Sequence, residues 1–178
     1  NVTLGYVGNP MFKPYGSTPG HWLEWARLLL QLWELGGRKL GWLPDAAQNL
    51  FRLAVGEGWD QARGGFHYTV GWDGKPSVPD RFWWPCCEGI GAAHFLASIT
   101  GESFYEDWYR RIWDFTTDHL IDRSTGAFIP QLDAENRPAT NPFYGRPDIY
   151  HSVQACLIPL LPTSGSLVRG LMTEGIKL

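Results

Sequence analysis

Apolar positions recur along this chain at helical spacing, in stretches separated by short glycine-rich segments. The first runs from Trp22 to Trp33. Thr18 stands as an N-cap, Pro19 falls where a first turn tolerates it, and Gly36 is a stop signal, so a helix is predicted over about residues 20–35. Pro44 opens a second helix, about 44–56, with Ala46, Ala47, Leu50, Phe51 and Ala54 as its apolar stripe. A third is predicted from about Phe82 to Ile99, with Pro85 in its first turn and Gly101 as its stop. A fourth, about Ser103 to Leu120, carries Phe104, Trp108, Ile112 and Phe115 on one side. A fifth runs from about Pro147 to Leu161 despite Pro159, and a sixth from about Gly165 to Gly175. Residues 1–20 read as irregular.

Between the helix pairs the pattern changes. Gly64 to Val70, then Gly71 to Gly74 and Lys75-Pro76, reads as a hairpin with its tip at the glycines. Gly126 to Leu132 with a polar turn at Asp133 to Asn136 reads the same way. The two segments align: Asp60 with Asp122, Gly64 with Gly126 and Phe66 with Phe128 are each 62 residues apart. The unit helix, helix, short hairpin therefore repeats. The aligned glycines are expected at positive φ, where the chain turns into its hairpin.

The repeat organises the ionisable residues. Glu24 and Glu88 are 64 residues apart, and Glu88 and His151 are 63 apart, so each leading helix carries one such group in its first turns. His21 lies three residues before Glu24, on the same helix face. Helices side by side would carry these groups to a common end, where imidazoles and carboxylates can exchange protons. The expected fold is all-α: an α/α toroid, or about half of one, with its site at the hairpin end.

Around that site, Trp83 and Trp84 serve equally well as a sugar platform or as core. Arg81 could pair with Asp80 on the surface, yet it sits at the same mouth. Gln154 shares the His151 face, and Gln131 and Lys13 lie in loops at the same end. His94 faces elsewhere and is expected to be a core histidine. His119 ends a helix and is expected to be structural, while the role of His67 is open. The acidic and basic run around Glu106 to Arg111 is a solvated helix face.

Composition limits the partners. A net charge of −3 and a pI near 5.9 leave no basic footprint for nucleic acid, and no stretch is long and apolar enough to span a bilayer. The length suits one domain, so residues 1–178 are read as a single, partial domain. Cys86, Cys87 and Cys156 make no even disulfide framework; in apolar segments they read as buried free thiols of a reducing, cytoplasmic setting. No Cys or His pair has zinc spacing, so no metal is expected. Ten tryptophans on their own favour helix–helix packing over sugar stacking.

Three motifs in order carry a resemblance. They are Pro19-Gly20-His21-Trp22-Leu23-Glu24-Trp25 with Ala26 to Leu30, Arg81-Phe82-Trp83-Trp84-Pro85-Cys86-Cys87-Glu88, and Pro147-Asp148-Ile149-Tyr150-His151. Together they resemble the N-acylglucosamine 2-epimerase superfamily, on the side of its mannose and sulfosugar aldose–ketose isomerases. The resemblance implies an (α/α)6 barrel, His21 and His151 as catalytic histidines with Glu24 and Glu88 beside them, and Trp83 in a sugar pocket. Arg81, Trp84, Gln131 and Gln154 complete the expected substrate-binding set. It implies no metal and no redox cofactor. It covers only the C-terminal half of such a protein, and residues 1–18 resemble the end of a preceding hairpin loop.

The expected chemistry moves a proton between adjacent carbons of an aldohexose through an enediol. His151 carries it, and His21 assists ring opening. The alternatives are a sugar 2-epimerase, an inverting glycosidase using Glu24 and Glu88, and an inactive sugar-binding fragment. The expected partners are a monosaccharide and either a second copy or a missing N-terminal half. Open faces carrying Leu28, Leu29 and Leu160 are expected to drive that association.

Overall fold

A computed structural model of the chain describes residues 14–141, 143–161 and 165–174. Lys13, among the loop candidates, lies outside the described residues. Six α-helices follow in order: α1 Pro19–Leu35, α2 Trp42–Leu53, α3 Trp83–Thr100, α4 Ser103–Phe115, α5 Ile149–Leu157 and α6 Leu167–Glu174. Four short strands accompany them: β1 Thr69–Val70, β2 Pro76–Val78, β3 Arg81–Phe82 and β4 Gln131–Leu132.

Helices α1, α3 and α5 form a row, with α2 packed behind α1 and α4 behind α3. The middle helix is apolar almost all round, because neighbours cover it on several sides. From Trp83 to Leu96 only Trp84 and His94 are not buried. By contrast α2 and α4 are one-sided, and they meet through Phe51 packed edge-on against Phe104 and Tyr105. Trp59 is enclosed by Phe66, Trp108 and Phe115, so the base of the first hairpin is anchored on α4.

The repeat is present in the backbone. Both α2 and α4 widen into a π-helical turn, Ala54–Gly58 and Thr116–Leu120. Each turn leads to an aspartate whose carboxylate accepts hydrogen bonds from following backbone amides. Gly64 and Gly126 then take φ of +76° and +73°. Trp59 pairs with Phe66 and Ile121 with Phe128 at the corresponding places.

The structure adds to one expectation and corrects three. The second hairpin closes around its polar turn, with Leu132 bridged to Pro138 and the Ala139 N–H donating to the Gln131 carbonyl, and β4 also pairs antiparallel with β3, the strand leading into α3. The first unit follows the same rule, since Ser17 before α1 pairs with Val70, although β1 also pairs with β2. Each hairpin thus ties down the lead-in to the row helix of its own unit. The fifth helix starts at Ile149 rather than Pro147, because Asp148 caps it by accepting the His151 amide. It ends in a 3₁₀ turn, Ile158–Leu160, where Pro159 lacks an N–H to continue the ladder. Cys86 and Cys87 are buried, but Cys156 is exposed on α5. Leu28 and Leu29 are half-buried, and the exposed apolar residues of α1 are Trp25, Leu32 and Leu35 instead.

Candidate functional site

His21 stands on the first turn of α1, exposed, with its ring 5.1 Å from that of Trp84. This contact depends on Gly20. A Cβ there would fall 2.4 Å from the Trp84 ring, so only glycine lets the indole lie across the start of α1. Trp84 also lies against the His151 ring, at 5.8 Å. The two histidines, 130 residues apart in sequence, therefore share one half-buried indole as a neighbour. Glu24 is half-buried one turn along α1 from His21, and makes no hydrogen bond or ion pair with another described residue.

His151 is set by Asp148. The Asp148 carboxylate accepts the His151 backbone N–H at 2.9 Å and lies 2.9 Å from His151 Nδ1 through both oxygens. Burial pushes the Asp148 carboxyl up, but the hydrogen bonds and charge it receives from His151 outweigh that and hold it below the usual carboxylate value. An ionised acceptor at Nδ1 assigns the ring proton to Nδ1 and leaves the Nε2 lone pair free. That nitrogen points toward Glu88, with Nε2 3.6 Å from Oε1. Trp83 stands edge-on behind the imidazole at 6.5 Å.

Glu88 is fully buried on α3. Its carboxylate takes a two-point grip from Arg27 on α1, Nε to Oε2 at 2.7 Å and Nη2 to Oε1 at 3.2 Å. Gln154 on α5 adds a third donor, Nε2 to Oε1 at 3.1 Å. Arg27 itself is 2 % exposed. Burial works against its charge, and the hydrogen bond and charge of Glu88 more than offset that, so its pKa is raised. Its remaining donors reach Gln31 Oε1 at 2.6 Å and Tyr150 Oη at 3.4 Å.

The structure thus brings His21, Trp84, His151 and Glu88 together and places Glu24 on the His21 helix. It removes others from the expected sugar-contacting set. Arg81 is completely buried and does not pair with Asp80. Its guanidinium donates to Asp60 Oδ2 at 2.6 Å and to the carbonyls of Gly64, Pro79, Asp133 and Ala134. All its donor nitrogens are engaged, so it ties the two hairpin loops rather than a ligand. Gln131 is buried as well: its amide donates to Asp80 Oδ2 and the Asn141 carbonyl and accepts from the Phe143 N–H, which fixes the loop before α5. Gln154 spends its amide on Glu88. Trp83 is 4 % exposed and packs against Phe143 and His151, so little of its ring is open to a ligand.

Two residues escaped the sequence reading, Arg27 and Asp148. Arg27 had a signal. It is a lone cation inside the apolar run of α1, in line with His21, Glu24 and Gln31 at helical spacing, and a buried cation needs a partner. Asp148 had one too, as an N-cap residue three before a histidine. Of the other histidines, His94 is half-buried against Tyr109, and burial lowers its pKa. His67 is buried, with Nδ1 unpartnered among the described residues; burial and the neighbouring Arg81 lower its pKa.

A row of helices backed by their partners, tied by hairpins and carrying a histidine–carboxylate cluster at one end, defines an α/α toroid. The chain belongs to the N-acylglucosamine 2-epimerase (GlcNAc 2-epimerase) family, whose sequence profile matches residues 1–155. A D-mannose isomerase from Pseudomonas cannabina pv. alisalensis is 43% identical over 166 residues, covering 90% of this chain and 40% of that protein. One from Thermobifida fusca is 40% identical over 166 residues, covering 92% of this chain and 41% of that protein. A crystal structure of a D-mannose isomerase superposes with a TM-score of 0.77 at 36% identity, over 84% of this chain and 38% of the other. The cellobiose 2-epimerase from Bacillus thermoamylovorans B4167 superposes with a TM-score of 0.66 at 12% identity, over 90% of this chain and 41% of the other, a likeness of fold alone. The fold is thus of the (α/α)6 barrel type, and the chain spans about 40% of the length of the curated relatives it matches.

Proposed function

We propose that this chain supplies the proton-transfer site of a sugar aldose–ketose isomerase acting on mannose or a related aldohexose. One observation carries the reading: His151 has its Nδ1 committed to Asp148 and its Nε2 free, beside a buried carboxylate, and shares the Trp84 indole with His21 as a neighbour. Nε2 takes the C2 proton of the open-chain aldose while O1 takes a proton from solvent water, which yields an enediol and hydroxide, and the hydroxide later recovers its proton from O2–H. The imidazolium then returns its proton to C1 as O2–H gives up its own, and the ketose results. Glu88 and Asp148 stabilise the transient imidazolium from its two sides, as paired carboxylates do. His21, exposed at the mouth, handles the ring oxygen during opening, and Glu24 accepts a sugar hydroxyl. Trp84 offers an apolar floor to a sugar face. The 36–43% identity to relatives named D-mannose isomerase supports this substrate class.

The chain is read as one partial domain, about half of a closed ring. The outer side of α5 supports this, since it opens onto an apolar groove of about 960 Å³ lined by Phe128, Pro130, Ile149, Val153, Cys156 and Leu157. In a closed ring a further helix lies there. The two buried thiols fit a reducing, cytoplasmic setting.

The test joins this chain to the part of the Thermobifida fusca relative that it does not match, and follows mannose by NMR in deuterated water. Fructose with deuterium gained from solvent is expected, and its formation is expected to be lost in His151→Ala. Conversion to the C2 epimer would replace the isomerase reading with a 2-epimerase. Full exchange in His151→Ala would move the base to another residue.

A further inference from the structure

We propose that Arg27 is a positioning residue for His151: from α1 it clamps the Glu88 carboxylate, and the clamped carboxylate fixes the charge and the geometry that His151 Nε2 faces. The inference rests on His151 as the proton carrier of the proposed function. It concerns a residue that touches neither His151 nor, in this reading, the sugar.

The clamp joins the three row helices. Arg27 starts from α1, holds both oxygens of Glu88 on α3, and reaches Tyr150 on α5. Gln31 holds Nη1 from one turn away on the same helix, which helps to fix the guanidinium plane. The fold clears a path for its stem. Gly91 faces Arg27, and a Cβ there would lie 3.0 Å from Arg27 Cδ and 3.0 Å from Ile158 Cδ1. A guanidinium gripping a carboxylate at two points fixes its orientation as well as its charge. Glu88 Oε1 is thereby held between Gln154 and His151 Nε2.

Among the described residues, the charged and titratable groups that face His151 come from three helices. Asp148 and Tyr150 come from α5 itself, and Glu88 comes from α3. Arg27 approaches from α1 behind Glu88, and His21 lies against Trp84. With Arg27 present, the Glu88 charge is already matched, and His151 can give up a proton without stranding a buried anion. Without Arg27, the buried carboxylate has His151 as its nearest cation. The imidazolium then becomes a permanent counter-ion and stops serving as a base.

The experiment is an NMR titration of the His151 ring in the 178-residue chain, labelled at histidine, with its amide spectrum as the check on folding. In Arg27→Gln the titration is expected to move up by about one unit or more, the size of an unmatched neighbouring charge. Arg27→Lys, which keeps the charge but not the two-point grip, is expected to move less than half as far. Arg27→Gln with Glu88→Gln is expected to reverse the shift. A folded Arg27→Gln chain titrating where the parent does would overturn the proposal. If Arg27→Gln unfolds, Glu88→Gln alone decides: it is expected to move the titration down, and no movement overturns the proposal equally. The readout needs no turnover. Persistent exchange in His151→Ala would therefore remove the proton carrier and leave this linkage standing, whereas an unmoved titration beside an inert His151→Ala would do the reverse.

Discussion

Replacing Arg81 by methionine separates the ligand role expected from the sequence from the clamp role that the structure shows. A sugar ligand at the mouth would lose affinity, whereas a buried clamp would lose stability. The side chain is 1% exposed and its Asp60 partner 13%, so removing the cation leaves a largely desolvated carboxylate. It also frees the Gly64, Pro79, Asp133 and Ala134 carbonyls. Breaking a buried pair in this way costs about 3–5 kcal/mol. Asp60 keeps some contact with water, and Asp133 and Ala134 are only half-buried, so the low end applies, about 3 kcal/mol. For a chain of this size that is a fall in Tm of about 6–12 °C. Arg81→Lys keeps the charge but has three donors for five acceptors, and should lose less. The pH dependence has a definite sign. Burial pushes the Asp60 carboxyl up, but hydrogen bonds from the Arg63 and Ala62 amides and the Arg81 charge hold it below its ordinary value. A lowered carboxylate contributes stability above its unfolded pKa, about 3.9, and loses it as pH falls through the folded value. The gap between parent and Arg81→Met is therefore widest above about pH 4 and closes in acid. Circular-dichroism melts across pH measure it. A Tm change under about 2 °C, less than the shift for 1 kcal/mol, would refute the clamp and return Arg81 to the ligand set.

Two further outcomes are expected. Burial pushes the Cys86 thiol to about 12 and Cys87 well above its ordinary value, while Cys156 is exposed. A thiol reagent on the native chain should therefore titrate one group quickly and all three only after denaturation; fast reaction at Cys86 or Cys87 would contradict the packing of α3. Asp148→Asn keeps an N-cap but loses the ionised acceptor at His151 Nδ1. Proton exchange in the completed ring should drop by about 10²-fold or more with α5 intact by circular dichroism, and an unchanged rate would deny Asp148 its orienting role.

Much of this protein was written in its order of residues. Helical periodicity placed α1 to α4 and α6, and cap and stop residues bounded most of them because those signals act within one turn. The 62-residue repeat was legible from Asp60/Asp122 and Gly64/Gly126, since a turn needs the same local chemistry wherever it recurs. The repeat also put His21, Glu24, Glu88 and His151 on corresponding helix starts. Tertiary structure decided which distant groups meet. Periodicity gives the face of a helix but not its neighbour, so β3 pairing with β4 was not readable. Arg27 meeting Glu88 across 61 residues and Arg81 meeting Asp60 across 21 were not readable either. Whether an arginine at a helix mouth reaches solvent or is consumed depends on the loops folded over it. Here the loops at Gly64 and Asp133 close over Arg81, while nothing among the described residues closes over His21.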